Sequence, residues 1–214
     1  MHHHENANAA TNLQTDRLAS LWNHLGLNAA HVAVQTPGDI AGLIETAPER
    51  VAGLVICAAM GLDPSHLVPI APRLVLIAGD RGSSAVAAEQ AEQRLPGSRR
   101  VAMDDYDAHS WSDCVSDRTE TVAAAFRGLP GKATDPRLPP GTGVHAGITY
   151  RIQGAGPALV LFPLMLAPSQ WDAAIPSLAQ QFTVIVLGGR HVGGIAFLED
   201  RTQPKLPRHA EQFG

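Results

Sequence analysis

Short, mostly apolar runs alternate with amphipathic stretches along most of the chain. Runs of this length and composition are typical of strands that are buried on both faces of a sheet. The predicted strands cover residues 31–34, 53–57, 73–78, 100–103, 148–152, 158–162 and 183–187.

Between these runs, apolar residues recur at helical spacing. In the first such stretch Leu18, Leu21, Trp22 and Leu25 share one face, and Gly26 ends the helix. The predicted helices cover residues 16–25, 40–48, 85–95, 117–129 and 169–181. Strands that alternate with helices indicate an α/β fold, in which helices flank a mostly parallel sheet.

Two stretches depart from this alternation. Residues 130–143 contain four prolines and three glycines, which is typical of a linker or a crossing loop. Beyond them, the runs 148–152 and 158–162 flank a turn at residues 154–157, so this region is predicted to be a hairpin.

The composition narrows the classes of function. Of all residues 45% are hydrophobic and 17% are charged, which predicts a chain with a buried core. The net charge is −4 and no basic stripe is visible, so we expect neither nucleic-acid nor membrane binding. The longest apolar run, 158–167, is too short to cross a bilayer. Because the first residues include no apolar signal region, the expected location is cytoplasmic.

No pattern in the sequence indicates a metal or a cofactor. Two cysteines, Cys57 and Cys114, are too few to form a metal site by themselves. The histidines are scattered, without the i, i+4 pairing that many zinc sites use. The glycine-rich segment 188–194 follows a strand, but it lacks the spacing of a nucleotide-binding motif.

Residues 12–129 resemble the C-terminal half of the α/β-hydrolase superfamily. After the strand at 31–34, residues 34–38 read Val-Gln-Thr-Pro-Gly, where the family places its G-x-S-x-G nucleophile turn. Residues 48–51 read Pro-Glu-Arg-Val before an apolar strand, an arrangement that is frequent in the family. Asp80 follows the strand that resembles the one carrying the acid, and His109 lies where the family has its catalytic histidine.

Residues 147–194 resemble the N-terminal half of the same family, with a glycine-rich loop at 189–194 similar to the family's R-G-H-G loop. The two halves therefore occur in reversed order. This implies a single capless, circularly permuted domain over 12–194, with a linker at 130–146 and flexible termini at 1–11 and 195–214. A competing interpretation is a fragment that joins the tail of one hydrolase-like unit to the head of another.

The ordering is also similar to the hydrolase-like N-terminal region of some bacterial proteins that carry a methyltransferase domain. No glycine motif typical of S-adenosylmethionine binding follows a strand here, so that activity is not assigned.

The resemblance implies a triad with Thr36 as nucleophile, His109 as base and Asp80 as acid. Each position departs from the family pattern. Val34 replaces the first glycine that flanks the nucleophile, and the family's usual acid position is occupied by Gly82. The alternative roles are structural: a helix cap for Thr36, a turn cap for Asp80 and a partly exposed loop position for His109.

The expected oxyanion donors are also compromised. Pro37 follows the nucleophile position and has no backbone N–H, and Pro163-Leu164 replaces the family's His-Gly pair. In an open α/β sheet ligands bind beyond the carboxyl ends of the strands, so the predicted cleft side chains are Gln35, Pro163, Leu164 and His191.

Three functions remain open. The first is a degenerate hydrolase-like module that is non-catalytic or weakly hydrolytic and binds a small molecule, a partner domain or a second copy as a homo-oligomer. The second is a carboxylic-ester hydrolase that uses Thr36 with His109 and Asp80 on an ester substrate. The third is a fragment of a longer enzyme.

Overall fold

The computed structural model describes residues 2–59, 61–109, 113–165, 167–189 and 192, with the backbone alone for residues 2–12. Within those residues eight strands are found: β1 Ala30–Val34, β2 Val51–Cys57, β3 Leu74–Arg81, β4 Arg99–Asp107, β5 Gly141–His145, β6 Ile148–Gln153, β7 Ala158–Leu161 and β8 Thr183–Gly188. The α-helices in the same part of the chain are α1 His2–His24, α2 Gly38–Thr46, α3 Gly82–Arg94, α4 Cys114–Asp117, α5 Thr119–Phe126 and α6 Ile175–Leu178. A 3₁₀ segment at Ser65–Arg73 precedes β3.

The eight strands form one sheet in the order β4-β3-β2-β1-β7-β8-β6-β5. All neighbours are parallel except β6, which is antiparallel to both β5 and β8. The predicted class, an α/β fold with a mostly parallel sheet flanked by helices, is confirmed.

Alternate residues of the central strands serve two separate cores. In β2, Leu54 and Ile56 pack with apolar residues of α1, α2 and α3, whereas Val55 and Cys57 pack with those of α4, α5 and α6. Because a strand places successive side chains on opposite faces, both faces of β2 are covered by helices. This arrangement explains why the strand is a continuous apolar run.

The predicted hairpin between residues 148–152 and 158–162 is wrong. The turn after β6 does lead to β7, but β8 lies between them in the sheet. The hairpin is instead β5–β6, whose strands pair from Gly141↔Ile152 to His145↔Ile148. It turns through Ala146, with φ of 50°, and Gly147, with φ of 80°.

Residues 130–140 form a crossing loop that is hydrogen-bonded to the sheet. Thr134 N–H donates to Ala29 C=O at 2.8 Å, and Ala158 N–H donates to Thr134 C=O at 2.7 Å. The Thr134 hydroxyl oxygen accepts from the backbone N–H groups of Asn28 and Ala29, each at 3.0 Å. The loop thus ties the starts of β1 and β7 together, and residues 141–145, predicted as part of the linker, form β5.

Several helix bounds differ from the prediction. Helix α1 begins at His2 rather than Asp16, because no glycine or proline interrupts residues 2–25. The helices expected at 117–129 and 169–181 are replaced by shorter ones with intervening turns. In the second case Pro176 starts a single turn, α6. None of the helices in the described part of the chain is both long and apolar enough to cross a membrane.

The two halves of the chain share one sheet and contact each other at a second place. Within the sheet they meet at the parallel pair β1–β7, where Val32 lies opposite Val160. Away from it, His24 Nε2 on α1 lies 3.1 Å from the Tyr150 hydroxyl on β6. Residues 12–129 and 147–189 therefore build one continuous layer.

Candidate functional site

The segments that carry the predicted triad follow parallel strands. Thr36 lies two positions after β1, Asp80 is the second-last residue of β3, and His109 follows β4 by two positions. Pro163 and Leu164 lie two and three positions after β7. Because parallel strands end at the same edge of a sheet, the fold brings these segments to one edge.

The turn at Thr36 is an unstrained start of a helix. Asp39 N–H donates to Thr36 C=O at 3.1 Å, and Ile40 N–H donates to Pro37 C=O at 3.2 Å. A nucleophile turn of the hydrolase type is sharp and strained. Gln35 and Thr36 are not among the described non-glycine residues with positive φ, so this turn lacks that strain. Pro37 occupies the N-cap position without a side-chain cap, so Thr36 does not act as the helix cap either.

Gln35 connects the ends of three neighbouring strands. Its side chain is 8% exposed. The amide nitrogen Nε2 donates to Ala58 C=O, after β2, at 3.4 Å. The amide oxygen Oε1 accepts from Met165 N–H, after β7, at 2.8 Å. The side chain therefore fills the space between these loops and engages a backbone N–H beside the predicted oxyanion position.

The loop after β7 offers few donors to a ligand. Pro163 and Leu164 are both buried, and Leu164 packs in the core that includes Trp171. Proline has no N–H, and Met165 N–H is already bonded to Gln35. An oxyanion hole requires free donors aimed at one point, and in this loop Pro163 has no N–H and the N–H of Met165 is engaged.

Asp80 binds the backbone of the neighbouring strand. Its two carboxylate oxygens accept from Asp105 N–H at 2.7 Å and Tyr106 N–H at 3.0 Å. These hydrogen bonds hold the pKa of Asp80 below its usual value. They lie where the β3–β4 pairing shifts register and where Asp105 has a positive φ of 51°. The carboxylate thus holds an irregularity of β4 in place.

The carboxylate beside His109 belongs to Asp107. Asp107 Oδ2 lies 3.4 Å from His109 Nε2, and Asp107 Oδ1 is buried without a hydrogen-bond partner. A Cβ added to Gly82 would coincide with Asp107 Oδ1. The Asp107 carboxylate therefore occupies the space of the side chain that Gly82 lacks, and Gly82 stands at the family's usual acid position. The sequence analysis did not identify Asp107 as the acid. The only indication was Gly82, which has no side chain and so leaves space for a carboxylate from a neighbouring strand.

The two cysteines lie close together in the core. Cys57 Sγ and Cys114 Sγ are 3.5 Å apart, and both side chains are buried. The hydrogen bond with Cys114, together with burial, raises the pKa of the Cys57 thiol well above its usual value. A protonated, buried thiol such as that of Cys57 packs as a small apolar group.

An open groove of about 510 Å³ lies over the hairpin and the carboxyl end of β8. Its polar lining includes Thr149, Tyr150 and Ser169. An ion pair between Arg151 Nη2 and Asp172 Oδ1, 2.5 Å long, crosses it. A groove of this volume accommodates a small organic molecule.

The remaining predicted cleft residue, His191, lies outside the described residues. Among the residues that are described, no group of three or more histidine, cysteine, aspartate or glutamate side chains could hold a metal ion. The chain matches no protein-family model, no curated protein and no solved structure.

Proposed function

We propose that this protein is a circularly permuted α/β-hydrolase-like module that no longer supports ester hydrolysis at its ancestral active-site edge and that binds a small molecule elsewhere, in the groove over the hairpin. The observation that carries the proposal is Gln35. Its amide donates to Ala58 C=O on one side and accepts from Met165 N–H on the other, so it fills the space between the loops that follow β2 and β7.

Three further features support the proposal. Asp80 uses both carboxylate oxygens on the backbone of β4, Thr36 lies in an unstrained turn, and Pro37 has no N–H to donate. Loss of one oxyanion donor typically costs about 10²–10³ in rate, so several losses together leave little turnover. The continuous sheet favours a permuted domain over a fragment, because β1 and β7 from the two halves pair directly.

The groove over the hairpin supports the binding part of the proposal. It is of small-molecule size, and Arg151 offers a guanidinium that a ligand carboxylate or phosphate would take over from Asp172. The ligand class favoured by this lining is a small organic anion.

A second candidate function is a carboxylic-ester hydrolase. The observation that favours it is the pair of His109 Nε2 and Asp107 Oδ2 at 3.4 Å, an acid and a base side by side at the carboxyl end of β4. In this alternative Thr36 is the nucleophile, His109 the base, and Asp107 takes the role that the resemblance gave to Asp80.

Hydrolysis of p-nitrophenyl acetate and butyrate separates the two functions. We expect the purified protein to hydrolyse both esters at the same rate as its His109→Ala and Thr36→Ala variants. Rates must be compared at matched folded fractions, checked by circular dichroism. Turnover that disappears in both variants, and falls also in Asp107→Asn, would establish the esterase and refute the binding module.

A further inference from the structure

Strand β4 is an open edge of the sheet. It pairs with β3 on one side, and among the described strands no other lies beside it. In a strand every second residue directs its backbone N–H and C=O groups to the same side. The outer side of β4 therefore presents a row of hydrogen-bonding groups to whatever chain can reach it.

The charges along this edge have opposite signs at its two ends. Residues 99–105 read Arg-Arg-Val-Ala-Met-Asp-Asp, with two cations before the centre and two anions after it. Arg99, Arg100, Asp104 and Asp105 are all exposed. Natural edge strands often carry charges that block pairing with another chain. Here each cation would lie opposite an anion if a second copy of the strand ran antiparallel to the first.

We propose that β4 is a homodimer interface, in which two copies of this chain pair their β4 strands antiparallel about Ala102. This register places Arg100 opposite Asp104 of the second copy and Val101 opposite Met103, each pair occurring twice by symmetry. Parallel pairing in register would place like charges together, so the charges select the antiparallel arrangement.

The surroundings of β4 leave room for the second strand. The regular part of the β3–β4 pairing runs from Val75↔Arg99 to Gly79↔Met103, before the register shifts. Beside the strand, a groove of about 450 Å³ lies between β4 and α5, with half-buried Val101 in its lining. Ala102, at the centre, is exposed and small enough for close approach of its own copy.

The contacts of the charged residues in the monomer permit the pairing. Arg100 Nε lies 3.3 Å from Glu92 Oε2, and both side chains are more than a third exposed. Such surface pairs exchange partners at little cost. Beyond the paired region, Tyr106 donates a hydrogen bond from its hydroxyl to Asp117 Oδ2 at 2.7 Å, which fixes the end of β4 against α4.

The proposal is tested with variants that reverse charges on β4. Their oligomeric state is measured by sedimentation velocity at about 1 to about 100 μM protein. We expect the unmodified chain to dimerise. Arg100→Glu and Asp104→Arg should each weaken the dimer by about tenfold or more, since each sets like charges opposite one another twice. The double variant Arg100→Glu/Asp104→Arg should restore the dimer, because the complementarity returns with its signs exchanged.

Lys132→Glu is the matched control for Arg100→Glu, since it makes the same change in net charge on an exposed side chain away from β4. A chain that stays monomeric over the whole range overturns the proposal. So does a dimer that neither single variant weakens, or one that the double variant fails to restore. Thermal melts of each variant establish that the monomer remains folded.

Discussion

Replacing Asp39 with asparagine is expected to stabilise the protein by up to about 4 kcal/mol at neutral and alkaline pH. Asp39 lies in the first turn of α2 with 3% of its surface exposed, and its Oδ1 atom has no hydrogen-bond partner. Burial raises its pKa from 3.8 to about 7, and a contact with Gln14 opposes that rise only in part.

The sign of the pH dependence follows from the raised pKa. Between 3.8 and about 7 the folded chain keeps the Asp39 proton, whereas the unfolded chain has lost it. The contribution of this group to stability is therefore fully present below 3.8 and is lost as the pH rises through about 7. Above that pH the folded state contains an ionised carboxylate with little solvent around it.

Urea denaturation of the native chain and of Asp39→Asn across this pH range checks the prediction. The variant should match the native chain near pH 3.8 and exceed it increasingly up to pH about 7. Asp16→Asn, at an exposed position on α1, is the control and should leave the pH profile unchanged. Parallel profiles for the native chain and Asp39→Asn would show that Asp39 ionises normally in the folded state.

Trp171→Ala is expected to lower the free energy of unfolding by about 3–5 kcal/mol. The Trp171 side chain is fully buried, and its ring packs edge-on against Phe126 with centroids 6.0 Å apart. Its indole Nε1–H donates to Phe162 C=O at 2.7 Å. It thus fills the core between α5 and the sheet and also fixes the loop that leads from β7 to Pro163.

Trp171→Phe separates these two contributions. It keeps most of the apolar volume and removes the hydrogen bond, which leaves the Phe162 carbonyl without that donor at a cost of about 1–3 kcal/mol. Both variants are measured by chemical denaturation with the native chain as reference. A loss below about 1 kcal/mol in Trp171→Ala would mean that the core collapses around the missing ring, contrary to the packing described here.

The buried strands of this fold could be predicted because a strand that is covered on both faces consists almost entirely of apolar residues. The run 53–57 is apolar without interruption, since both of its faces are covered by helices, and it lies within β2. Strand β5 could not be predicted in this way. It contains two glycines and is half-exposed at the sheet edge, so its formation depends on pairing with β6.

The order in which strands pair was the second feature that the sequence did not predict. The turn at residues 154–157 has the composition of a hairpin turn, but local sequence does not tell whether a later strand will insert between its neighbours. Strand β8 does so: it pairs parallel with β7 and antiparallel with β6, and its alternate residues are buried in the two cores on opposite faces of the sheet.

At the candidate site, the sequence predicted which segments lie at the edge but not which side chains meet there. Strand order and direction decide which segments share an edge. Which side chains meet there depends on the detailed positions of their atoms. Asp80 and Asp107 are both acidic residues near the carboxyl ends of the neighbouring strands β3 and β4. Only the structure shows that Asp80 binds the β4 backbone and that Asp107 lies beside His109.

The most direct test of the binding module is covalent labelling with an alkyl fluorophosphonate, followed by intact-mass spectrometry. This reagent reacts with activated hydroxyl nucleophiles whatever ester the protein would prefer, so the outcome does not depend on choosing a substrate. Because Thr36 lies in an unstrained turn with Gln35 filling the adjoining space, we expect the mass to stay unchanged. A single adduct that forms on the native chain and is absent from Thr36→Ala would contradict the account and identify an active hydrolase.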